Sequence, residues 1–284
     1  MLTKFRGEVY LFFGAFLFAF NGIISKIVLI DGPSAWRLTQ IRTGGAFVLL
    51  LLFHLVFKRH ELKATKSELP WLLAFGVVGV AFVQAFYFVA IERMYVGVAL
   101  LIEFTAPIWI LIVLRFVLKK HVPNTFWYAI LLSFSGLLMI TQIWNGLSLD
   151  RLGLIAALVD ALSLAGYFLI GDRLGKTRSS GAITTWGFGV TTALLAIALP
   201  LWSFPTEIFT RNMKLLGRFN GYTLPGWVLI LWIITMGTVL PYLCVVSGLK
   251  ILSASTASIF GMIEPVLAGM FAWWWRSEEH TSEL

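Results

Sequence analysis

Charge and cysteine are both scarce in this sequence of 284 residues. Charged residues make up 13% of it and hydrophobic residues 59%, whereas soluble domains carry about 25% charged and about 45–50% apolar residues. A soluble protein with so little charge could not cover its surface, which excludes a soluble enzyme, a nucleic-acid-binding domain and a disordered chain. The single cysteine, Cys244, excludes a disulfide framework and a thiolate metal site. The composition instead predicts an integral membrane protein.

The sequence also lacks the motifs of intramembrane enzymes and metal centres. It contains no H-E-x-x-H or G-x-S-x-G pattern, and no aspartates are paired in opposed apolar segments. Its 4 histidines lie at the ends of apolar segments, in loops or in the last nine residues: His54, His60, His121 and His280. We therefore expect no enzymatic activity, no metal and no cofactor.

Nine apolar segments are long enough to cross a membrane as helices, which takes about 20 mostly apolar residues. They are Val9–Ile30, Trp36–Phe57, Trp71–Ile91, Val96–Leu118, Trp127–Trp144, Leu152–Ile170, Ala182–Leu201, Trp227–Ser247 and Ala254–Trp275. Tryptophans stand at several segment ends, where interfacial residues are expected. Because nine spans leave no room for an extramembrane domain, the predicted fold class is an all-α membrane protein whose helix bundle carries the function.

Positive charge is distributed unevenly over the loops. Lys and Arg number 13 in the N-terminal segment and the loops on its side, such as Lys58–Lys66 and Arg173–Arg178, and 5 in the loops on the other side. Because cytoplasmic loops carry the excess of Lys and Arg, the N-terminus is predicted to be cytoplasmic. The long connection Leu201–Gly226 then lies outside, and its three basic residues run against the trend. The net charge of +8 thus reflects orientation, and we expect no nucleic-acid partner.

An internal repeat relates the two halves of the chain at an offset of 158 residues. The block VGVALLIEFTAPIW lies over ASTASIFGMIEPVL, so that Ala99 falls on Ala257 and Pro107 on Pro265. The matched helices are the fourth and the ninth, five spans apart. Since five is odd, the halves must have opposite orientations in the membrane. Inverted repeats with helices broken at matching positions are typical of secondary transporters.

At these positions the sequence resembles a known family. The first span's FGAFLFAFNGIISK, the second span's LTQIRTGGAFVLLLL, the two A-x7-P blocks and the GLLMI ending of the fifth span are similar to paired EamA domains of the drug/metabolite transporter superfamily. The resemblance covers residues 9–275. It implies a ten-span bacterial permease of the inner (plasma) membrane with a cytoplasmic N-terminus, which exports amino acids or related metabolites.

The two predicted repeats differ in length, with five spans in residues 9–144 and four in residues 152–275. The family implies a tenth span after the ninth. Residues 276–284 instead resemble the in-frame translation of a sequencing-library adapter. We therefore expect that nonapeptide to be an artefact and a further apolar segment of roughly 20–30 residues to belong at this end.

Two glutamates stand beside the paired prolines. Glu264 directly precedes Pro265, and Glu103 lies four residues before Pro107. A charge at membrane depth is costly and marks a functional site by default, while a proline leaves a helix carbonyl without its donor. Each carboxylate is thus a candidate to bind a substrate amine or a proton in a cavity; the alternative is that it only satisfies the kinked backbone.

A polar face with the spacing i, i+3, i+7 recurs in two spans. It consists of Asp160, Ser163 and Tyr167 in the sixth span and of Thr235, Thr238 and Tyr242 in the eighth. In the repeat, Gln84 of the third span falls on Tyr242. Polar faces at matching positions predict the lining of a central aqueous cavity, with hydrogen bonding between packed helices as the alternative.

Basic and amide side chains occupy the outer half of the first two spans. Arg42 lies about six residues into the second span, at a position where the family resemblance implies a basic residue, and we expect it to form a structural or gating ion pair. Asn21, late in the first span, is a further candidate for the cavity. Snorkelling to the interface accounts for Lys26 and Arg37 without any function.

These observations predict a secondary transporter that exports small metabolites by alternating access. The alternatives are a membrane channel and a structural membrane protein. Matched prolines in opposed halves favour alternating access over a simple pore. The expected partners are a small-molecule substrate and the lipid bilayer; proton coupling and the oligomeric state are left open.

Overall fold

The computed structural model describes residues 2–30, 32–94, 96–141, 150–215, 217–219 and 221–276. Because lipid offers the backbone no hydrogen-bond partner, an apolar segment satisfies its own N–H and C=O groups by forming a helix. The α-helices of the described ranges are α1 (Leu2–Ile30), α2 (Ala35–Phe57), α3 (Leu69–Ala74), α4 (Val83–Ile91), α5 (Val96–Glu103), α6 (Ala106–Ile112), α7 (Asn124–Thr141), α8 (Arg151–Gly175), α9 (Ser180–Ala198), α10 (Gly226–Ile234), α11 (Leu240–Ile251), α12 (Ala254–Gly261) and α13 (Glu264–Arg276).

Eight helical segments of the described chain are long and apolar enough to cross a membrane, which confirms the all-α fold class. They are Phe5–Ile30, Ala35–Phe57, Leu69–Ile91, Gly97–Val117, Arg151–Gly175, Ser180–Ala198, Gly226–Ile251 and Ala254–Trp275. The predicted span Trp127–Trp144 corresponds to α7, whose apolar part is shorter. The end of that span and the suspected adapter segment beyond Arg276 lie outside the described residues.

Several helices extend beyond the predicted spans. Helix α1 begins at Leu2 rather than Val9, and α8 ends at Gly175 rather than Ile170. The physical reason is that hydropathy marks only the part of a helix inside the hydrocarbon, whereas hydrogen bonding continues into the polar headgroup region.

Four helix starts are capped by side chains of the preceding residue. In each case the oxygen of that residue accepts a hydrogen bond from the backbone N–H three positions on, which satisfies one of the free donors of the first turn. The capping residues are Ser34, Asp150, Ser179 and Ser253. These caps set the starts of α2, α8, α9 and α12.

Two interruptions occur in both halves at the same offset of 158 residues. When α7 is counted as the fifth crossing segment, the third and the eighth each contain a π-helical stretch, Phe75–Phe82 between α3 and α4 and Thr235–Val239 between α10 and α11. The fourth and ninth crossing segments are each broken by a turn, at residues 104–105 and 262–263. π-Helical stretches inside α-helices are frequent at functional sites, so the interruptions direct attention to the centre of the bundle.

The contacts between helices also recur in the two halves. Helix α1 packs along α11, and α8 packs along α4. Helices α12 and α13 contact α1, as α5 and α6 contact α8. Helix α2 packs against α9. The first helix of each half therefore lies against the third and fourth crossing segments of the other half.

The connection predicted to lie outside has structure of its own. Strands β1 (Asn212–Lys214) and β2 (Thr223–Pro225) pair antiparallel, with Met213 opposite Leu224. Met213 packs with Ile208 and Trp275 in an apolar cluster that also includes residues of α1 and α10. This hairpin covers the end of the bundle at which α10 begins.

Candidate functional site

A cavity of about 610 Å³ lies between the two halves. This volume suits a small metabolite, since ligand pockets usually measure about 300–1,000 Å³. The wall is built from α1, α2, α4, α5 and α6 of the first half and from α8, α11, α12 and α13 of the second. Its lining includes Ile30, Leu38 and Ile91. The cavity therefore reaches the end of the bundle at which α1 and α4 end and α2 begins.

Seven of the eleven side chains predicted to bind a ligand or line a cavity do line this one: Asn21, Arg42, Gln84, Glu103, Tyr167, Tyr242 and Glu264. Asp160 is not a lining residue and lies within α8 with 1% of its surface exposed. The other three polar-face residues, Ser163, Thr235 and Thr238, do not line it either, because their hydroxyls donate to backbone carbonyls four or five residues earlier. Pro107 lines the cavity and Pro265 does not. Each proline is the second residue of the helix that follows a break, α6 or α13.

Opposite charges face one another across the cavity. Arg42 of α2 interacts electrostatically with Tyr242 and Glu264, and Glu264 is the first residue of α13. Glu103 provides a second carboxyl group at the end of α5. None of the ion pairs within 4.0 Å among the described residues includes any of these three charged groups. The charges are thus separated, as expected of groups that bind opposite ends of one ligand.

Polar atoms without a hydrogen-bond partner concentrate at this cavity. Nine buried side-chain atoms of the described residues have no partner, and five of them belong to lining residues. The five are Asn21 Oδ1, Ser25 Oγ, Thr39 Oγ1, Arg42 Nε and the Tyr167 hydroxyl. Because buried polar atoms are nearly always hydrogen-bonded, such a group marks a place where water or a polar ligand binds.

Five aromatic rings pack together at the cavity, and three of them, those of Phe18, Tyr167 and Tyr242, line it. The ring of Tyr242 lies 5.2 Å from Phe18, 6.0 Å from Tyr167 and 4.9 Å from Phe188. Phe75, which is fully buried, lies 5.2 Å from Tyr167. We call these five residues the aromatic floor.

Two positions related by the predicted repeat meet at the floor. The Gln84 side-chain amide donates a hydrogen bond to the Tyr242 hydroxyl at 3.4 Å, and these residues stand 158 positions apart. A contact between equivalent positions places them beside the axis that would relate the two halves.

Sequence reasoning missed two glycines that support the wall. Gly79 and Gly237 also stand 158 positions apart, each within a π-helical stretch. A Cβ at Gly79 would lie 3.1 Å from the Cα of Tyr167, and one at Gly237 would overlap the side-chain amide of Asn21. Each glycine thus lets a π-helical stretch approach a cavity residue of the other half. The presence of glycine at both of these equivalent positions is the sequence feature that could have identified them.

Sequence reasoning also missed three lining residues. Thr39 stands one helical turn before Arg42, so the 3.6-residue period of α2 could have identified it. Lys26, attributed above to snorkelling, lines the cavity as well. Tyr87 of α4 lies on the same wall as Gln84, and only the three-dimensional arrangement distinguishes it from the many other aromatic residues.

A second polar group, the loop cluster, lies at the opposite end of the bundle. Arg178 donates hydrogen bonds to the Glu68 carboxylate at 2.9 Å and to the backbone oxygens of Glu61 and Lys63, while the Ser179 hydroxyl donates to the Glu61 carboxylate. The hydrogen bond from Arg178 lowers the pKa of Glu68 to about 2. The hydrogen bond from Ser179 lowers the pKa of Glu61. The cluster thus joins the α2–α3 loop to the α8–α9 connection as an ionised network.

No set of side chains in the described ranges is arranged for metal binding: a group of three or more His, Cys, Asp or Glu residues is absent there. The cavity lining itself offers a ligand charged groups, hydrogen-bonding groups and apolar contact.

Comparison with known proteins agrees with this arrangement. The transporter YdfC of Bacillus subtilis (strain 168), described as uncharacterized, is 25% identical over 94% of this chain and 82% of its own length. The uncharacterized transporter YwfM of the same organism is 26% identical over 93% of this chain and 85% of its own. An uncharacterized transporter of Archaeoglobus fulgidus is 25% identical over 92% and 85%, respectively.

One solved crystal structure superposes on the fold with a TM-score of 0.75 at 14% identity, over 98% of this chain and 90% of that one. At this identity the likeness establishes the fold alone. The sequence profile of the EamA-like transporter family matches the chain twice, over residues 5–142 and 151–282. The resemblance drawn from the sequence is thereby confirmed, and the chain belongs to the EamA-like transporter family of multi-pass membrane transporters.

Proposed function

We propose that this transporter exports small zwitterionic metabolites, such as amino acids and related compounds, across the bacterial plasma membrane by alternating access. The observation that carries the proposal is the cavity between the halves, whose wall holds separated charges of opposite sign. Arg42 lies on α2 of the first half, and Glu264 lies on α13 of the second. A molecule with one carboxylate and one ammonium group would match both.

The size and lining of the cavity narrow the substrate further. Apolar side chains such as Leu38, Leu100 and Phe104 line the same cavity as the charged groups. An apolar substituent would lie against them and be removed from water. Of the polar atoms without partners on α1 and α2, the hydroxyls of Ser25 and Thr39 can donate hydrogen bonds to the carboxylate, whereas Asn21 Oδ1 can only accept one from the ammonium group. These contacts favour neutral amino acids with an apolar side chain.

Alternating access is supported by the asymmetry between the two ends of the bundle. The cavity reaches one end, while the loop cluster lies at the other. In the orientation proposed from the loop charges, with the N-terminus in the cytoplasm, the open end is the outer one. A channel would need a continuous path, and the packed rings of the floor favour a transporter over that alternative.

An inverted repeat is supported by the recurrence of features at one offset. The π-helical stretches, the breaks, the two glycines and the contact between Gln84 and Tyr242 all follow the 158-residue spacing. Two halves with opposite orientations, residues 9–144 and 152–275, would exchange inward- and outward-facing forms by related movements.

A matched set of three probes tests the substrate class on purified protein. L-Leucine carries both charges, isocaproate only the carboxylate and isoamylamine only the ammonium group, on closely similar hydrocarbon skeletons. Ligand binding to the folded state raises the thermal unfolding temperature. We expect L-leucine to raise it and the two singly charged probes to have little effect.

Variants connect this stabilisation to the cavity. Arg42→Gln and Glu264→Gln should each abolish the shift with L-leucine, whereas Asp172→Asn, a change in an exposed pair with Lys176 at 3.4 Å, should retain it. Equal shifts with all three probes, or an unchanged shift in both cavity variants, would contradict the proposed substrate class.

A further inference from the structure

The two cavity glutamates occupy opposite ends of broken helices. Glu103 is the last residue of α5, and Glu264 is the first residue of α13. The N-terminal end of a helix favours a negative charge, and the C-terminal end disfavours it. The helix therefore stabilises the ionised form of Glu264, at the start of α13, and destabilises the ionised form of Glu103, at the end of α5.

The neighbours of the two carboxyl groups strengthen this difference. Glu264 interacts electrostatically with the cation Arg42. Glu103 instead has another acid nearby, because α5 packs on α8: Glu103 lies one helical turn after Ala99, Asp160 lies one turn after Ala156, and these two alanines belong to one apolar cluster. No Lys or Arg nitrogen of the described residues lies within 4.0 Å of Glu103 or Asp160. Two ionised carboxylates would repel each other here without a compensating cation.

Asp160 lies behind the cavity wall. It is 1% exposed, and its Oδ1 atom is buried without a hydrogen-bond partner. Its neighbours in α8, Ala156 and Ala157, pack against Val98 and Ala99 of α5 in an apolar cluster. A buried carboxylate with an unpaired oxygen in apolar surroundings is far more costly than the neutral acid.

Arg42 and Lys26 line the same cavity as Glu103, but among the described residues neither forms an ion pair within 4.0 Å with Glu103 or Asp160. On α4 the group that faces both acids is Tyr87. The third helix packed against α5, α7, contains no Asp, Glu, His, Lys or Arg. The basic residues of helices and loops next to α8 lie at its two ends, Arg93 with Asp150 at 3.7 Å and Lys250 beside Gly175.

We propose that Glu103 and Asp160 form a carboxyl pair that holds one proton, and that this pair is the site of a coupling proton, distinct from the substrate-binding charges Arg42 and Glu264. The proton comes from a hydronium ion in the cavity water: one O–H bond of the hydronium breaks and leaves a water molecule, an O–H bond forms on one carboxylate, and the pair changes from two negative charges to one. When the cavity faces the cytoplasm, the O–H bond breaks and the proton leaves to water on that side. The coupling role rests on the proposed export function; the proton-binding site itself does not.

Infrared spectroscopy of the purified protein at neutral pH tests the site without any substrate. A protonated carboxyl group absorbs in a region of the spectrum separate from carboxylates and amides. We expect the wild type to show such a band and the double variant Glu103→Gln/Asp160→Asn to lose it. Glu264→Gln should keep the band, as should the control Asp172→Asn, whose carboxylate is paired with Lys176.

A single variant keeps the test decisive if the double variant fails to fold. In Glu103→Gln the proton must stay on Asp160 beside an amide, so the band should shift in position. A wild-type spectrum without the band, an unchanged band in Glu103→Gln, or its loss in Glu264→Gln would overturn the proposal. Failure of the three-probe experiment would instead reject the proposed substrate class and leave this result untouched.

Discussion

At the scale of single residues, the arrangement of the cavity charges explains why charged groups are tolerated at membrane depth. Arg42 and Glu264 lie on helices of different halves and attract one another across the cavity. A charged group inside a membrane is retained when it faces a water-filled cavity and has a partner there. Removal of one partner leaves the other without compensation, so each charge should matter more than an uncharged polar neighbour.

We predict that Glu264→Gln impairs transport more than Ser258→Ala. Ser258 is 2% exposed, and its hydroxyl already donates to the Ser255 carbonyl at 3.1 Å, so it mainly packs. Loss of the carboxylate should reduce the rate of L-leucine transport at least about tenfold, the effect of about 1.4 kcal/mol. The measurement is efflux from preloaded cells at equal expression. Normal transport by Glu264→Gln at acidic and neutral pH would show that the carboxylate has no such role.

We also predict that Glu68→Gln destabilises the loop cluster by roughly 1–2 kcal/mol, less than a fully buried charged hydrogen bond because Glu68 is partly exposed. Arg178 lowers the pKa of Glu68 from about 4.5 to about 2. The stabilisation is therefore complete above the unfolded-state pKa and is lost as pH falls toward 2.

In detergent, the unfolding temperature of Glu68→Gln should lie below that of the wild type by a constant difference from neutral pH down to about pH 5. This difference should disappear on further acidification. Glu8→Gln, a change of an exposed carboxylate in α1, is the matched control and should have little effect. A difference that widens on acidification would mean that Glu68 is not stabilised in its ionised form.

At this scale the sequence identified the charged residues of the cavity better than the uncharged ones. Glu103, Glu264 and Arg42 were identifiable because ionisable groups in apolar segments are rare. Thr39 and Tyr87 carry no such signal, since hydroxyl and aromatic groups are common in membrane helices and only packing decides which of them face the cavity. The same limit applies to Asp160, whose place behind the wall depends on the contact between α5 and α8.

At the scale of elements, the irregular parts of the helices bring the two halves close together. In the stretches Phe75–Phe82 and Thr235–Val239 the π-helical geometry changes the direction of successive side chains. Gly79 and Gly237 then allow close contact with Tyr167 and Asn21: a Cβ at Gly237 would overlap the Asn21 amide, and one at Gly79 would lie only 3.1 Å from the Tyr167 Cα. The hydropathy pattern predicts continuous helices here, because a π-helical stretch is as apolar as the α-helix around it.

We predict that Gly237→Ala displaces the Asn21 side chain and lowers both thermal stability and L-leucine transport. The methyl group would overlap the Asn21 amide, which cannot move without changing the cavity wall. Gly44→Ala is the matched control, because its methyl group would meet only Thr192 at an ordinary 3.7 Å. Equal behaviour of the two variants would show that close approach at Gly237 is not required.

At the scale of the whole molecule, hydropathy and loop charge predict much of the arrangement. Apolar segments of about 20 residues identify the crossing helices, and the excess of Lys and Arg predicts their orientation. What the sequence could not provide is which helices touch. The packing of α1 on α11 and of α8 on α4 depends on side-chain shape at close approach, which hydropathy does not describe.

Reporter fusions test the predicted orientation. We expect the loops Lys58–Lys66 and Arg173–Arg178 to lie in the cytoplasm and the connection Leu201–Gly226 to lie outside. The reason is the bias of 13 basic residues against 5 between the two sets of loops. The control is a fusion to each side of the same helix, which must report opposite sides. A cytoplasmic Leu201–Gly226 connection would overturn the span assignment.

The central claim is that one cavity between the two halves carries a zwitterionic solute by alternating access. Counterflow in liposomes tests it most directly, with purified protein, unlabelled L-leucine inside and labelled L-leucine outside. A transporter that exposes one binding site alternately to each side exchanges the two pools, so internal L-leucine should accelerate entry of the label. The rate of entry should saturate as the external L-leucine concentration rises. Arg42→Gln and Glu264→Gln should lose this acceleration, while Asp172→Asn keeps it. Entry that rises linearly with concentration and is indifferent to internal L-leucine would contradict the account and indicate a channel.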